Sequence, residues 1–417
     1  MPRYVLGDAW WEIERDGTCN IVRAGSASEP VKEQLRRYKT AGHAEIQYDV
    51  MIRDKVAAGY ELTTAPAPAI AAHEPPAAMG DLETAIAADP YGTSVYAVYG
   101  DSLQAAGDPR GELIALQLAE DAKPGDAKLV AAIGRLLEKH RAHLFGPLAK
   151  HAGKLREFSE GAFIWRFGFI HIAQLDRQEL TDPLAPIVRD LLHHPSGRFV
   201  AELLLRDDDE RDLAELLELL ATGEPLSLRA LELTTAADVG DLGGVLRAHP
   251  KLRRLAVRGR VGSDAVTPIR TTLRSIVAAA LPELEELELR LVNRDARVPD
   301  VRALLRRTDL PALRRLRLRS ADFPNEILAD LVESPFASQL ELVDLSLCEI
   351  GDRAIGGLVD RRARFPNLRE VVLTRGHLSR TMLARLEDMV KKVSFADDDP
   401  DDEGRLDDAD YYDEVTE

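Results

Sequence analysis

Leu313-Arg314-Arg315-Leu316-Arg317-Leu318-Arg319 sets leucines at the first, fourth and sixth positions of a short stretch, with arginines between them. The same order of apolar and variable positions returns in Leu228-x-x-Leu231-x-Leu233, Leu252-x-x-Leu255-x-Val257 and Leu284-x-x-Leu287-x-Leu289. It continues in Leu342-x-x-Leu345-x-Leu347 and Leu368-x-x-Val371-x-Leu373. Weaker copies read as Phe167-x-x-Ile170-x-Ile172, Val200-x-x-Leu203-x-Leu205 and Val390-x-x-Val393-x-Phe395. Side chains alternate across a strand, so Leu316 and Leu318 face one way and Arg315, Arg317 and Arg319 the other. One such unit cannot bury its apolar side alone, which requires the copies to stack. Helical stretches such as Asp212–Leu220 lie between them, and offsets of 22 to 33 residues leave room for a helix per unit. The expected fold class is α/β, a parallel sheet backed by helices.

Repetition at this period resembles the leucine-rich repeat, which implies a solenoid over residues 151–396. Leu345-Ser346-Leu347-Cys348-Glu349-Ile350-Gly351-Asp352 resembles the longer, ribonuclease-inhibitor-like repeat type, with Cys348 at the turn after the strand.

Residues 80–150 read as helical. Leu82, Ala85 and Ile86 share a face, as do Val95, Tyr99 and Leu103, and Gly107 ends that helix. Asp108 is the expected N-cap of the next helix and Pro109 its first-turn proline; Leu113, Ile114 and Leu116 form its apolar face. Leu129, Ile133, Leu136, Leu137 and Leu144 carry a further helix. Ala85–Pro90, Tyr99-Gly100-Asp101 and Gly107-Asp108-Pro109-Arg110-Gly111-Glu112 resemble a bacterial repeat-companion module. That module precedes leucine-rich repeats in myxobacteria and planctomycetes. Ser102 stands where the family usually has Trp.

Residues 1–62 read as strands followed by one packed helix. Trp11 and Ile13, then Cys19 and Ile21, alternate across Asp16-Gly17, a hairpin signal. Ala44, Tyr48, Met51, Ile52 and Val56 recur at helical spacing and stop at Gly59. Trp11-Glu12-Ile13-Glu14-Arg15-Asp16-Gly17 and Asp54-Lys55-Val56-Ala57-Ala58-Gly59-Tyr60 resemble a WGR domain. Ile21-Val22-Arg23 stands at the position that names the family, followed by Ala24-Gly25. The resemblance implies nucleic-acid binding or an interdomain contact.

Residues 63–79 form an Ala/Pro-rich linker whose alternating Ala65-Pro66-Ala67-Pro68 favours extended polyproline geometry. Residues 397–417 hold twelve acids and one base, Arg405, a composition that predicts a disordered acidic tail. The net charge of −17 thus divides into −11 on this tail and −6 on the other 396 residues. An acidic chain disfavours sequence-independent binding of phosphate backbones by its whole surface. Two cysteines, Cys19 and Cys348, make neither a disulfide framework nor a CxxC pair, which fits a reducing cytoplasm. There is no apolar N-terminal signal and no apolar run near the ~18 residues of a membrane span, so no membrane partner is expected.

No HExxH, GxxxxGK[ST] or GxSxG motif occurs. His140 and His143, and the adjacent His193-His194, lack sequence-placed carboxylate or thiol partners; packing is the simpler reading. Gly240-Asp241-Leu242-Gly243-Gly244 reads as loop filling. The expectation is therefore a protein that is not an enzyme, with no cofactor, no metal and no catalytic residue. The strand positions opposite the leucines carry the function. Arg254, Ala256 and Arg258 form one basic rung, Glu286, Glu288 and Arg290 a mainly acidic one, Arg315, Arg317 and Arg319 a strongly basic one; Asp344 and Ser346 follow, then Glu370, Val372 and Thr374. Rungs of opposite sign can neutralise one another laterally, or together present a patterned concave surface to an unidentified protein partner; the second is the reading adopted. The tail reads as a solvated bristle, with competition for the arginine rungs as the second option. The alternative function is nucleic-acid association through Arg23, Lys32, Arg36, Arg37 and Lys39, with Trp10, Trp11 and Tyr38 as stacking groups.

Overall fold

Trp11 lies opposite Ala24 and Ile13 opposite Val22 in an antiparallel ladder that ends on the pair Asp16 and Cys19. The structure, a computed structural model, describes residues 3–7, 9–16, 19–26, 32–37, 48, 51–53, 55–56, 58–63, 77–151, 162–180, 182–235, 239–259, 268–291, 298–375 and 378–396. It divides into two compact units, Met1–Pro75 and Pro76–Glu417. In the first, β1 (Arg3–Leu6), β2 (Ala9–Asp16), β3 (Cys19–Ser26), β4 (Lys32–Arg37) and β5 (Glu61–Thr63) form an antiparallel sheet of order β4-β3-β2-β1-β5. Tyr4, Trp11 and Ile13 are its buried centre, with Val22, Ala24, Tyr48, Met51, Ile52 and Tyr60 packed against them. The expected hairpin is present, but its register puts Ile21 opposite Glu14, so Val22 and Ala24 rather than Cys19 and Ile21 continue the apolar face. Val56, expected on the packed face of the helix, is 52% exposed; Ala44 lies outside the described residues. Gly59, at φ 91°, follows the helical residues and receives the turn. A Cβ on Gly25 would meet the Trp10 ring at 3.1 Å, which explains a glycine there.

The second unit opens with α1 (Ala77–Ala88), α2 (Thr93–Ala105), α3 (Pro109–Asp121), α4 (Ala127–Lys139) and α5 (Arg141–Phe145). The Gly-Asp-Pro-Arg-Gly run joins α2 to α3, and each residue has a task. Gly107 turns the chain at φ 75°. Asp108 caps α3 by accepting from Arg110 N at 2.9 Å. Pro109 opens the helix, where its missing N–H costs nothing. Arg110 grips the Asp108 carboxylate and lies 5.6 Å over the Phe169 ring. Gly111 lets α3 cross α2 closely, since a Cβ there would stand 2.6 Å from Gln104 N and Gly100 O. Tyr96, absent from the sequence-derived face, joins Ile86, Tyr99, Leu103 and Ile114 around Phe167, Phe169 and Phe199. Gln117 clamps the following hairpin, accepting from Gly168 N at 2.7 Å and donating to Trp165 O at 3.1 Å. The helices thereby cover the apolar start of the sheet.

That sheet has ten strands: β6 (Phe163–Arg166), β7 (Phe169–Asp176), β8 (Glu202–Arg206), β9 (Ala230–Thr235), β10 (Arg254–Gly259), β11 (Glu286–Arg290), β12 (Arg315–Arg319), β13 (Leu342–Asp344), β14 (Glu370–Thr374) and β15 (Lys392–Ala396). They lie side by side in chain order. β6 and β7 pair antiparallel and every later pair is parallel. One helix returns the chain between each parallel pair: α6 (Leu184–His193), α7 (Glu210–Leu220), α8 (Gly243–Ala248), α9 (Pro268–Ala278), α10 (Val298–Leu305), α11 (Pro324–Val332), α12 (Asp352–Asp360) and α13 (Arg380–Glu387). Each packs on its neighbour, and a single apolar core fills the space between sheet and helices.

A recurrent carbonyl sets the phase of the units. Ala201 O accepts from both Arg229 N and Ala230 N; Arg229, Arg253, Glu285, Arg314 and Glu341 repeat the arrangement toward the next strand. This ladder corrects two copies of the pattern. Leu316 pairs with Val343 and Arg317 with Asp344, so the unit is Leu340-x-x-Val343-x-Leu345, two residues before Leu342-x-x-Leu345-x-Leu347. Leu340, Val343 and Leu345 are buried, while Leu342 lies on the opposite, half-exposed side. At the array's start, Ala173 pairs with Leu203 and Leu175 with Leu205, so Ile170-x-x-Ala173-x-Leu175 replaces Phe167-x-x-Ile170-x-Ile172. Phe167 sits instead in the β6–β7 turn, at φ 48°. Cys348 follows β13 as expected and is buried; its Sγ accepts from Ala321 N at 3.2 Å, and burial pushes its thiol up to about 11.

Helix C-termini leave carbonyls without intrahelical partners, and here the following unit supplies the donors. His249 Nε2 lies 2.9 Å from Leu220 O, at the end of α7. Arg307 donates to Ile276 O and Ala279 O, at 2.5 and 2.6 Å, and its guanidinium is fixed by Asp309. Arg364 donates to Val332 O and Ser334 O, at 3.1 and 3.2 Å. Arg229, 2% exposed, does the same for Ala87 O and Ala88 O of α1.

Candidate partner-binding face

Each parallel strand offers alternate residues to the side of the sheet away from the helices, and in-register pairing lines these residues up across strands. Arg254, Glu286 and Arg315 form one row, while Glu232, Ala256, Glu288, Arg317 and Asp344 form the next. The guanidinium groups bridge these rows. Arg254 Nη2 reaches Glu232 Oε2 at 2.9 Å. Arg258 holds Glu288 by two bonds of 2.7 and 2.9 Å and Glu232 at 2.5 Å. Arg317 lies between Glu286, at 2.9 Å, and Asp344, at 3.1 Å. Arg319 donates to Ser346 Oγ at 3.0 Å and Glu288 Oε1 at 3.3 Å. Arg315 approaches Glu286 at 3.5 Å. The lattice runs over five adjacent strands, β9 to β13.

Burial sorts its members. The carboxylates sit low and the arginines reach over them; the Glu288 side chain is 4% exposed and that of Arg319 15%. Arg315, at 56%, is the outlier that stands free of the surface, with Arg254 next at 35%. Burial pushes the Glu288 carboxyl up, but the Arg258 hydrogen bonds and the charges of Arg258, Arg319 and Arg317 overcome it and hold the group below its ordinary value. The Arg317 guanidinium is lowered by burial and raised by more through Glu286 and Asp344. Glu288 is thus held as an anion among fixed cations, and this node of the lattice does electrostatic rather than acid–base work. Arg290 lies beside Arg319 and Ser346 follows Asp344 in the third row.

No family model matches this chain, and no curated protein does. Among solved structures it is similar to a Bacteroides fragilis protein from a structural-genomics effort, at 16% identity and a TM-score of 0.40, over 95% of each chain. It is also similar to a chain of the yeast Rad7–Elc1 complex, at 10% identity and a TM-score of 0.32, over 68% of this chain and 92% of that one.

The sequence-derived residues Arg254, Arg258, Glu286, Glu288, Arg290, Arg315, Arg317, Arg319 and Asp344 all lie on this side of the sheet. The basic and acidic rungs neutralise one another laterally, the first of the two options the sequence left, with side chains reaching diagonally to the adjacent strand. Glu232 was missed; its place between Leu231 and Leu233 is the signal that identifies it. Glu370 on β14 continues the same side of the sheet and accepts from Lys392 at 2.7 Å and Ser394 at 2.6 Å.

For the nucleic-acid alternative, β4 pairs Lys32 with Ala24, Arg36 with Asn20, Arg37 with Cys19 and Glu33 with Arg23. Strand alternation sets Lys32 and Arg36 at positions of one face and Arg23 and Arg37 at positions of the other, so the five do not make one patch by register. Lys39 and Tyr38 lie outside the described residues. Among the described residues no group of three His, Cys, Asp or Glu could hold a metal ion. His143 lies 3.5 Å from Asp108, His193 Nδ1 faces Arg189 O, and His194 Nδ1 accepts from Ser196 N, each a local structural contact. No described helix is long and apolar enough to cross a membrane.

Proposed function

We propose that this chain is a non-catalytic, cytoplasmic leucine-rich-repeat scaffold that docks a protein partner on the face of its ten-stranded sheet. The observation that carries the reading is the graded exposure of the lattice. Buried carboxylates and their arginines set a rigid charged floor, and Arg254 and Arg315 rise from it with donor capacity to spare. An ordered floor costs a partner little ordering entropy on docking, and its charge pattern selects register. In this reading the first unit is a WGR-like module, α1–α5 are a repeat-companion cap, and residues 397–417 are a solvating acidic tail.

The lattice changes which substitutions test the idea. Reversing Arg317 or Arg319 would break internal ties and confuse folding with binding. Arg254→Gln with Arg315→Gln removes the two most exposed charges, keeps a donor beside Glu232 and Glu286, and leaves the Glu288 node whole. Full-length wild type and this variant are compared by capture from lysate of a bacterial host, with thermal melts as the fold check. A protein retained by the wild type and lost by an equally stable variant is the expected result; the same proteins retained equally by both would refute the face as the docking surface. The nucleic-acid alternative is decided by a gel-shift series over salt, because phosphate contacts by Lys and Arg weaken steeply as salt rises.

A further inference from the structure

The β6–β7 hairpin is irregular at one residue. Ile164 pairs with Ile172 and Trp165 with Ile170, which leaves His171 as the extra residue of a β-bulge. A bulge re-aims its side chain. His171 is 2% exposed, its ring stands edge-on to Tyr91 with centroids 5.1 Å apart, and the residue lines a cavity of about 220 Å³. Its Nε2 is buried with no hydrogen-bond partner. A buried polar atom left unpaired is costly, so an unpaired nitrogen on a residue that lines a cavity points to a ligand beside it.

The rest of the lining specifies the ligand. Glu120, Asp121 and Glu202 contribute three carboxylates against one guanidinium, Arg166. Arg166 is 3.7 Å from Asp121 and lies 4.6 Å over the Phe167 ring, so it leans toward one side of the cavity. Glu202 accepts from Tyr91 Oη at 3.2 Å through one oxygen, Oε1. Burial and the Arg166 charge push His171 down to about 4, so at neutral pH its ring carries no charge and one nitrogen is an acceptor. The lining is therefore net negative, rich in acceptors and walled by aromatic rings. At ~30 Å³ per water, the volume holds about seven waters, enough for a planar cation on a short alkyl stem. A carboxylate beside an aromatic face is the setting that suits guanidinium better than ammonium, because the planar fork pairs with the one while stacking on the other.

We propose that this cavity binds an alkylguanidinium group between Glu202, Tyr91 and His171, carried either by a free amine or by an arginine side chain of a protein. The site uses none of the lattice residues of β9–β13, so it stands whether or not that lattice docks a partner. Arg166 acts as the resident competitor: it neutralises part of the cavity's charge until a ligand cation enters.

Isothermal titration of the full-length chain tests this directly. The probes are agmatine, acetyl-Gly-Arg-Gly-amide and the same peptide with uncharged citrulline for arginine, each to about 10 mM, well above a millimolar dissociation constant. The expected result is saturable binding of agmatine, of the arginine peptide or of both, and none of the citrulline peptide. Glu202→Gln weakens binding about tenfold or more, and Arg166→Ala strengthens it. Agmatine alone points to a free metabolite, and tighter binding of the peptide points to a protein side chain. No heat from either cationic probe, equal binding of citrulline, or unchanged affinity in both variants would overturn the assignment. Thermal melts establish that the variants are folded; should Glu202→Gln fail to fold, the Arg166→Ala comparison, at a half-exposed position, decides the matter alone.

Discussion

Glu288→Ala is the sharpest test of whether the sheet's charges act as a lattice. Glu288 is the node at which Arg258 and Arg319 meet, and it takes both hydrogen bonds of the Arg258 fork. Removing one partner of a fully buried ion pair costs ~3–5 kcal/mol because the other charge is stranded. Here the stranding is incomplete. Arg258 keeps Glu232 and Arg319 keeps Ser346, and both guanidinium groups retain some water contact. The expected loss is therefore about 2–3 kcal/mol for alanine and about half that for Glu288→Gln, which preserves shape and an acceptor oxygen. Urea unfolding followed by far-UV circular dichroism reads chiefly the second unit, which holds α1–α13. A double-mutant cycle with Arg258→Ala should return a coupling of about 1–2 kcal/mol. That coupling should change little between low and high salt, since the pair is shielded, unlike the exposed contact of Arg315 with Glu286. A loss below about 0.5 kcal/mol for alanine, or a coupling that vanishes in salt, would show that these are independent surface charges.

Further outcomes follow from other parts of the second unit. Asp207 is buried beside Asp212, and burial together with the Asp212 carboxylate raises it from 3.8 to about 7. The folded chain then keeps a proton that the unfolded chain releases near pH 4, so this group's contribution to stability falls as pH rises from about 4 to about 7. Asp207→Asn should flatten that part of a melting-temperature profile, and an unchanged slope would refute the assignment. Arg307→Ala should cost about 2–4 kcal/mol, against about 1 kcal/mol for His249→Ala, because it removes the side-chain donors to Ile276 O and Ala279 O at the end of α9 and frees Asp309; faster hydrogen exchange at the end of α9 localises the effect. Gly111→Ala should destabilise by more than about 2 kcal/mol, since its Cβ would collide with backbone of α2, whereas Gly134→Ala, with open space around it in α4, should gain about 0.5–1 kcal/mol. Thermal melts of the two variants check the contrast in sign.

The array is legible in the sequence because strand alternation and the leucine spacing reinforce one another, as at Leu313–Arg319. It blurs where two phases are equally apolar. Leu340-Glu341-Leu342-Val343-Asp344-Leu345-Ser346-Leu347 satisfies the spacing in both, and the choice is made by backbone hydrogen bonds to the Arg314 and Glu341 carbonyls that no side-chain pattern reports. At Phe167 the spacing is met by chance across a hairpin turn. The charged side of the sheet is likewise readable one strand at a time, which places Arg254, Glu286 and Arg317 correctly. Which arginine holds which carboxylate depends on diagonal reach between strands separated by some thirty residues in sequence. Arg229, Arg307 and Arg364 are the least legible: each looks like ordinary surface charge, and its capping role depends on a helix end contributed by an earlier element. His171 is hidden in a similar way, because only the bulge turns it into a cavity.

The completion of three helix ends by the units that follow them gives the array a direction. α7 waits for His249, α9 for Arg307 and α11 for Arg364. A nascent chain leaving the ribosome therefore carries one unfinished helix at its growing end, sealed only when the next strand–helix segment emerges. Shortening the array from its C-terminal side just past one of these helices damages one unit more than it removes: a chain stopped after Glu341 keeps all of α11 yet lacks the guanidinium that closes it.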